Sequence, residues 1–516
     1  MSFKRLGLGF ALGFALWATA FIARSSTIGI DGQRYFALFD DAMISMRYAD
    51  NWVHGRGLVW NEGEQVEGYS NLLMVLLMAP PNALLPKPLA VLCMQVLGIG
   101  LVLGSAGLTA AIAYRLTGHT LISFLSYLAV LLYYPLAYWS LLGMETGLLT
   151  VLVLGAVYLA LRYEDEGHLR DGLAMAGLLG LAYWTRPETP LLAGLLLGYV
   201  WWAMHPPLRH SLLILTVYSS LPLLQHTFRW WYYGELFANT YTLKVTGIPL
   251  SARLNNGWLF IQPYLNEHIL LIGLGLVGVA LQFNARRVLL VGLYGVMVVY
   301  QVMVGGDVWL YWRIMTPVTS LLLVVAVGGM YVGLRRWGLM QRHPRLALGL
   351  MVVIIGGSLY RAEYRFEREI TLQERPYLTL EAGNNINMAL AIEAMTTPDA
   401  TVGVIWAGII PYYTEREAID FLGKSDPYIA NLPPDLSGRA GWNGMTSVPG
   451  HNKYDLAYSI QQRQPTYVQS LWWGGDDLSE WGRDVYVNVT YKGVSLLLRK
   501  DSPAVHWNRI DTTEDE

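Results

Sequence analysis

The chain has 516 residues, 54% of them hydrophobic and only 14% charged, where an ordinary soluble domain carries about 25% charged residues. Its formal net charge is −2, which gives no broad cationic field for nucleic acid, and its single cysteine, Cys93, excludes intrachain disulfides and cysteine-based metal centres. Most of the chain is therefore expected to sit in lipid.

Apolar runs long enough to cross a hydrocarbon core of about 30 Å as helices fall near 5–23, 90–114, 120–141, 146–162, 171–186, 189–204, 210–226, 266–283, 287–304, 314–334 and 345–360. They predict about eleven crossings. The first run, Leu6 to Ile22 behind Lys4 and Arg5, has the basic start of a secretory signal, and Ala18-Thr19-Ala20 has the small-x-small form of a cleavage site. It is read as an uncleaved span, because the apolar sequence continues through Phe21 and Ile22. Leu72 to Leu85 is short and contains Pro80 and Pro81, so a bent or re-entrant segment is expected there. Cys93 lies in an apolar stretch and is expected to fill space.

Basic residues orient the spans, since cytoplasmic loops carry the excess of Lys and Arg. Arg162 with Arg170, Arg209, Arg286 with Arg287, and Arg335, Arg336, Arg342 and Arg345 mark every second loop, and Lys4 and Arg5 put the N-terminus on the same side. The opposite face then receives the first outer loop, 24–70, the short loops at 142–146 and 185–189, the loops at 227–265 and 305–313, and everything after about 361. The expected location is a bacterial inner membrane, multi-pass, with the N-terminus cytoplasmic. After 361, charges and Pro/Gly turns become frequent and β-type runs such as Thr401 to Ile405 and Val494 to Leu498 appear. This predicts two domains, a polytopic membrane domain over 1–360 and a soluble α/β periplasmic domain over 361–516.

The first outer loop reads Phe-Asp-Asp-Ala-Met-Ile-Ser-Met-Arg-Tyr-Ala-Asp-Asn-Trp over Phe39 to Trp52. Asp40 and Asp41 open a stretch that places Ile44, Tyr48 and Trp52 on one helix face, as for a helix lying along the membrane surface. Two readings of the pair stand together here. One carboxylate caps the helix while the other is solvated, or the two serve chemistry, one deprotonating a hydroxyl and the other orienting it or a metal. Arg186 and Glu188, at a span end beside Pro187, form a structural ion pair or a functional one. Lys244 and Arg313 are outward cations that either snorkel to the interface or receive a phosphate, which arginine binds through two parallel donors. Trp230, Trp231, Tyr232 and Tyr233 read mainly as an aromatic belt.

The run from Gly55 to Asn71, with Gly55-Arg56-Gly57 and Glu67-Gly68-Tyr69, follows the Asp-Asp pair and the Ser45-Met46-Arg47-Tyr48 step. Further along come Gly143-Met144-Glu145-Thr146, Thr185-Arg186-Pro187-Glu188, Tyr232-Tyr233-Gly234-Glu235 with Asn239-Thr240-Tyr241 and Lys244, Gly305-Gly306-Asp307 with Arg313 and Pro317, Ile419-Asp420 with Asp426-Pro427, and Gly450-His451-Asn452-Lys453. In this order the pieces resemble lipid-linked-sugar glycosyltransferases of the GT-C superfamily, especially the terminal arabinofuranosyltransferases of mycobacterial cell walls and their bacterial relatives. The sequence departs from the pattern at Phe237-Ala238, where the family favours Leu-Pro, and at Lys424-Ser425, where it has Leu-Thr. Both departures are read as bearing on acceptor fit.

The resemblance implies a membrane all-α GT-C fold with a C-terminal soluble α/β domain, and inverting transfer of a sugar, arabinofuranose being one candidate, from a polyprenyl-phosphate donor to an acceptor hydroxyl on a glycan or protein. It implies Asp40 and Asp41 as catalytic residues, with Asp40 expected as base and Asp41 as its positioning partner. It places Arg186, Lys244 and Arg313 on the donor phosphate, and Arg47, Glu67, Tyr69, Glu145, Glu188, Tyr233, Asn239, Asp307, His451 and Lys453 around the substrates. A divalent cation, Mg or Mn, would rest on Asp40 or Asp41. Membrane lipid is an expected partner and nucleic acid is not. The rival readings are a flippase or polysaccharide transporter, and a GT-C transferase of mannose or aminoarabinose to protein or lipid A.

Overall fold

The structure, a computed structural model, describes residues 3–439 and 444–509; the side chain of Lys4, used above for orientation, lies outside the described residues. The bundle and its connections comprise α1 (Phe3–Ser25), α2 (Asp40–Val53), α3 (Leu72–Leu84), α4 (Lys87–Thr117), α5 (Thr120–Leu131), α6 (Tyr134–Leu141), α7 (Thr146–Glu166), α8 (Leu169–Thr185), α9 (Pro190–Met204), α10 (Leu208–Tyr233), α11 (Asn239–Val245), α12 (Leu250–Glu267), α13 (Ile269–Leu281), α14 (Ala285–Val304), α15 (Thr316–Arg336), α16 (Leu339–Arg342) and α17 (Pro344–Glu363).

Among the described residues six helices are long and apolar enough to cross a membrane: α1, α4, α7, α14, α15 and the one that begins with α17. Two more crossings are bent pairs, α5 with α6 by 51° and α12 with α13 by 75°. The chain is thus a multi-pass membrane protein with fewer straight spans than the apolar runs predict. At 120–141 the reason is Pro135 in the first turn of α6, because proline lacks the backbone donor that would continue the helix of α5. Helices α8 and α9, of 17 and 15 residues, fall short of the about 20 that a full crossing takes, and Arg186-Pro187 separates them. The segment at Leu72–Leu84 is a single short helix with both prolines inside it. Cys93 faces out of the bundle instead of filling it. Without a hydrophobic drive between helices in lipid, small residues set the close contacts, and a Cβ on Gly278 of α13 would lie only 2.5 Å from Gly329 Cα of α15.

Beyond the bundle the chain forms α18 (Glu367–Ile370), α19 (Thr379–Met395), α20 (Ile409–Thr414), α21 (Pro427–Asn431) and α22 (Ser479–Val485), with strands β1 (Thr401–Val404), β2 (Glu417–Asp420), β3 (Tyr467–Val468), β4 (Tyr486–Tyr491) and β5 (Val494–Arg499). The strands make one mixed sheet, ordered β2-β1-β3-β5-β4. β1 pairs parallel with β2 and β3, and β5 pairs antiparallel with β3 and β4. Lys492 and Gly493, both at positive φ, make the two-residue hairpin turn between β4 and β5. The runs predicted as strands at 401–405 and 494–498 are β1 and β5. Val402, Val404, Leu496 and Leu498 are buried and belong to the same core as Ile386, Ala389 and Ile392 of α19, and that core continues without a break into the bundle.

Helix α2 was expected along the membrane surface. It is instead packed between the bundle and the C-terminal region: Ile44 and Tyr48 are buried and Trp52 alone of that face is exposed. Its acidic start thereby lies under the loop that precedes α20.

Candidate active site

Residues distant in sequence meet at one end of the bundle, where α2, the ends of α8 and α14, the start of α15, α11 and the loop after β2 converge. Asp40 and Asp41 point in different directions. The Asp40 carboxylate accepts from the backbone N–H groups of Gly408, at 3.0 Å, and Ile409, at 2.9 Å, which open α20. A Cβ at Gly408 would come within 2.0 Å of Asp40 O, so only glycine admits this approach. Burial, against the Ile409 N–H and Lys424, pushes the Asp40 carboxyl up to about 6.

Asp41 lines a small cavity of about 50 Å³ together with Glu145, Arg186, Lys244, Arg313 and Lys424. Arg313 Nη1 donates to its Oδ2 at 3.0 Å, Trp309 Nε1 to the same oxygen at 3.3 Å, and Lys424 Nζ to its Oδ1. Burial opposes ionisation of Asp41, but Lys424, Arg313 and Lys244 together outweigh it and hold the carboxyl well below the usual carboxylate range. Arg313 is fixed from the other side by Asp307, through Nε at 2.6 Å and Nη2 at 3.1 Å, the bidentate geometry only arginine offers. The loop carrying it is strained, with Tyr311 and Trp312 at φ 64° and 41°. Such outliers persist where the surroundings over-determine them; here Trp139 Nε1 donates to Tyr311 O at 3.0 Å and the Phe366 ring lies 3.9 Å from the Tyr311 ring.

On the opposite wall Arg186 bridges Glu145, Nη1 to Oε1 at 3.0 Å, and Glu188, Nε to Oε1 at 2.8 Å, so it joins two carboxylates where the sequence left open a simple Arg186–Glu188 pair. Asn71 Nδ2 donates to the other Glu145 oxygen at 3.0 Å. Lys244 is half-buried and makes no hydrogen bond or ion pair with the described residues. Burial and the neighbouring Arg313 push it down to about 8. His451 packs edge-on to Trp309, with ring centroids 6.0 Å apart, and burial and Lys424 push it down to about 4, so it is neutral at pH 7.

Several predicted substrate residues do other work. Arg47 donates from Nε to Trp60 O at 2.7 Å, from Nη2 to Arg416 O at 2.9 Å and from Nη1 to Pro411 O, which ties α2 to the C-terminal region. Glu67 pairs in bidentate fashion with Arg229 of α10. Tyr233 donates to Leu58 O at 2.7 Å and meets Tyr69, OH to OH, at 3.1 Å. Asn239 donates to Gly423 O and Lys424 O at 2.9 and 3.0 Å, and Lys453 Nζ to Ala430 O and Thr242 O at 2.7 and 3.0 Å. These residues hold the loops that frame the cavity. Arg47→Met is accordingly expected to lower stability by about 3 kcal/mol or more, since each buried acceptor left unmet costs about 1–3 kcal/mol. The apparent KM for donor should not change. Thermal unfolding and steady-state kinetics on the folded fraction check this, and a raised KM at unchanged stability would return Arg47 to the substrate.

Sequence reasoning missed Lys424 and Trp309 as site residues. Lys424 was noticed only as a departure bearing on acceptor fit, yet it sits on Asp41. Asp420 bends its loop by accepting from Leu422 N at 3.0 Å and Ser425 N at 2.8 Å. A lone lysine about 380 residues from its carboxylate carries no spacing signal.

The donor set does not fit a divalent cation. Such ions take several anionic or neutral oxygens, whereas both Asp41 oxygens hold cationic donors, Glu145 is engaged by Arg186, and both Asp40 oxygens hold amides. The one group with metal-ligand spacing among the described residues, Glu166, His168 and Asp171, lies at the far end of α7. There Arg115 takes Glu166 and Arg162 takes Asp171.

This architecture, a bundle of broken and straight spans with the polar site at one end under a C-terminal region built on a small sheet, is the fold of the GT-C membrane glycosyltransferases. The chain is similar to ArnT from Cupriavidus metallidurans in the apo state, with TM-score 0.50 and 12% identity over 80% of this chain and 86% of ArnT. It is similar to the same protein bound to undecaprenyl phosphate, with TM-score 0.53 and 11% identity over the same shares. It is also similar to the apo form of the Archaeoglobus fulgidus oligosaccharyltransferase, with TM-score 0.54 and 11% identity over 97% of this chain and 75% of that one. Residues 367–506 match a family model described as a domain of unknown function, DUF8728. No curated protein sequence matches the chain.

Proposed function

We propose that the protein is an inverting glycosyltransferase that moves a sugar from a polyprenyl-phosphate donor to an acceptor hydroxyl. The observation that carries this reading is the Asp41 carboxylate facing a cavity with Glu145, Arg186, Arg313, Lys424 and Lys244, the last without a hydrogen bond or ion pair among the described residues. A phosphate leaving group needs cations and an attacking hydroxyl needs a base. ArnT, a protein of the same fold, has been crystallised with undecaprenyl phosphate bound, which supports a lipid phosphate here. Lys244 and the cations on Asp41 would receive the donor phosphate. The acceptor oxygen then bonds to the anomeric carbon, the bond from that carbon to the phosphate oxygen breaks, and Asp41 takes the hydroxyl proton. Polyprenyl phosphate leaves with the electron pair, and one displacement inverts the centre. Phosphate binding draws Arg313 and Lys424 partly off Asp41, which raises its basicity when the donor is in place. The protein's own cations stand where a metal would otherwise neutralise charge.

We place the site on the periplasmic face of a bacterial inner membrane, because the arginine-rich loops lie at the other end of the bundle. The acceptor would be a cell-envelope glycan or protein, and arabinofuranose is one sugar to test. Purified enzyme is to be incubated with a panel of polyprenyl-phosphate sugars, scoring release of the lipid phosphate. Release with at least one sugar is expected, and donor affinity should fall as pH rises through about 8, where free Lys244 loses its proton. Lys244→Gln should remove that alkaline limb. Donor binding without release across the panel would favour a transporter.

A further inference from the structure

A second basic cavity, of about 490 Å³, opens at the other end of the bundle between α4, α5, α13, α14 and α15. Helices α14 and α15, of 20 and 21 residues, run from it to the active-site loop, a separation of about 30 Å at 1.5 Å per residue. Arg287, Arg335 and Arg336 line it with Gln282, and no carboxylate does. This sets it apart from the other arginines at that end. Arg115 and Arg286 pair with Asp165, and Arg162 pairs with Asp171. The Arg335 and Arg336 side chains are exposed and make no hydrogen bond or ion pair with the described residues. Arg287 is buried and its guanidinium meets only backbone carbonyls, Gln282 O at 3.1 Å and Gly278 O at 3.4 Å. Its charge has no counter-ion among the described residues, so an anion in this cavity would offset the cost of burying it.

The cavity also has apolar walls, Leu116, Ile122, Leu281 and Val332, and the residues next in sequence to its Gln282 and Arg336, Phe283 and Trp337, are both more than three-quarters exposed. Exposed tryptophan suits the headgroup boundary.

We propose that this cavity binds the phosphate headgroup of an anionic phospholipid, its acyl chains lying along the outer face of α13, where Leu276 and Val277 are exposed. Basic pockets between spans take such headgroups, and the apolar walls favour a lipid over a soluble anion. The site is separate from sugar transfer.

The test is titration of the purified protein with phosphatidylglycerol and with phosphatidylcholine, read by native mass spectrometry. Phosphatidylglycerol is expected to bind about tenfold or more tightly than phosphatidylcholine, and the double variant Arg335→Gln/Arg336→Gln, both exposed positions, to lose most of that preference. Arg209→Gln, at the start of α10 and outside this cavity, should keep it. Equal binding of the two lipids, or an unchanged preference in the double variant, would overturn the proposal. Displacement of phosphatidylglycerol by millimolar inorganic phosphate would overturn the lipid assignment and leave a soluble-anion site.

Discussion

Asp41→Asn is expected to lower turnover on a saturating polyprenyl-phosphate sugar by about 10²- to 10⁴-fold, the range for loss of a general base, while Asp40→Asn keeps more than about a tenth of it. The sequence favoured the opposite assignment. Both Asp40 oxygens are occupied by the amides of Gly408 and Ile409, whereas Asp41 faces the cavity. Asparagine at 40 retains one acceptor and leaves one amide unmet, which is expected to cost about 1–3 kcal/mol of stability. Because burial raises the folded-state value of Asp40 to about 6, above its unfolded value, its favourable contribution is fully present below the unfolded value and is lost as pH rises through about 6. Asp40→Asn should flatten that part of the stability profile. The checks are turnover for each variant and thermal unfolding in detergent from pH 4 to 7. If Asp41→Asn is well folded and keeps more than a tenth of turnover, the base lies elsewhere.

Arg313→Ala is expected to destabilise the protein by about 3–5 kcal/mol, the cost of stripping one partner from a buried ion pair, since both Asp307 and Asp41 lose their guanidinium. Arg313→Lys should be better folded yet still impaired, because an ammonium cannot serve Asp307 through two donors and Asp41 at once. Its signature is kinetic: donor KM rises and turnover falls while stability recovers. Lys424→Met separates the two roles of the cations, since it frees one Asp41 oxygen and leaves the Arg313–Asp307 clamp intact. Thermal unfolding and donor titration on the three variants check the order. An Arg313→Lys protein with wild-type donor affinity and turnover would make this arginine structural.

The membrane class, the location of most spans and the strands at 401–404 and 494–499 were legible in the sequence, because apolar run length and period-2 alternation are local signals that burial in lipid or in a sheet enforces directly. The motif order also pointed to the residues that assemble the cavity, Asp41, Glu145, Arg186, Lys244, Asp307 and Arg313. What the sequence could not show is direction. Adjacent aspartates at the start of a helix point about 100° apart, and which of them meets the amides of Gly408 and which the cavity depends on how the C-terminal region docks on α2. The same docking turns Arg47 and Glu67 from apparent ligand contacts into clamps and brings Lys424 onto Asp41 across the length of the chain. The break at α12–α13 is likewise tertiary, since a helix interruption within the bundle is tolerated only where neighbouring segments satisfy the freed backbone. Apolar run length follows from composition alone, but the partner of a buried charge follows from packing, because a charge out of water takes whichever opposite group the fold brings within reach.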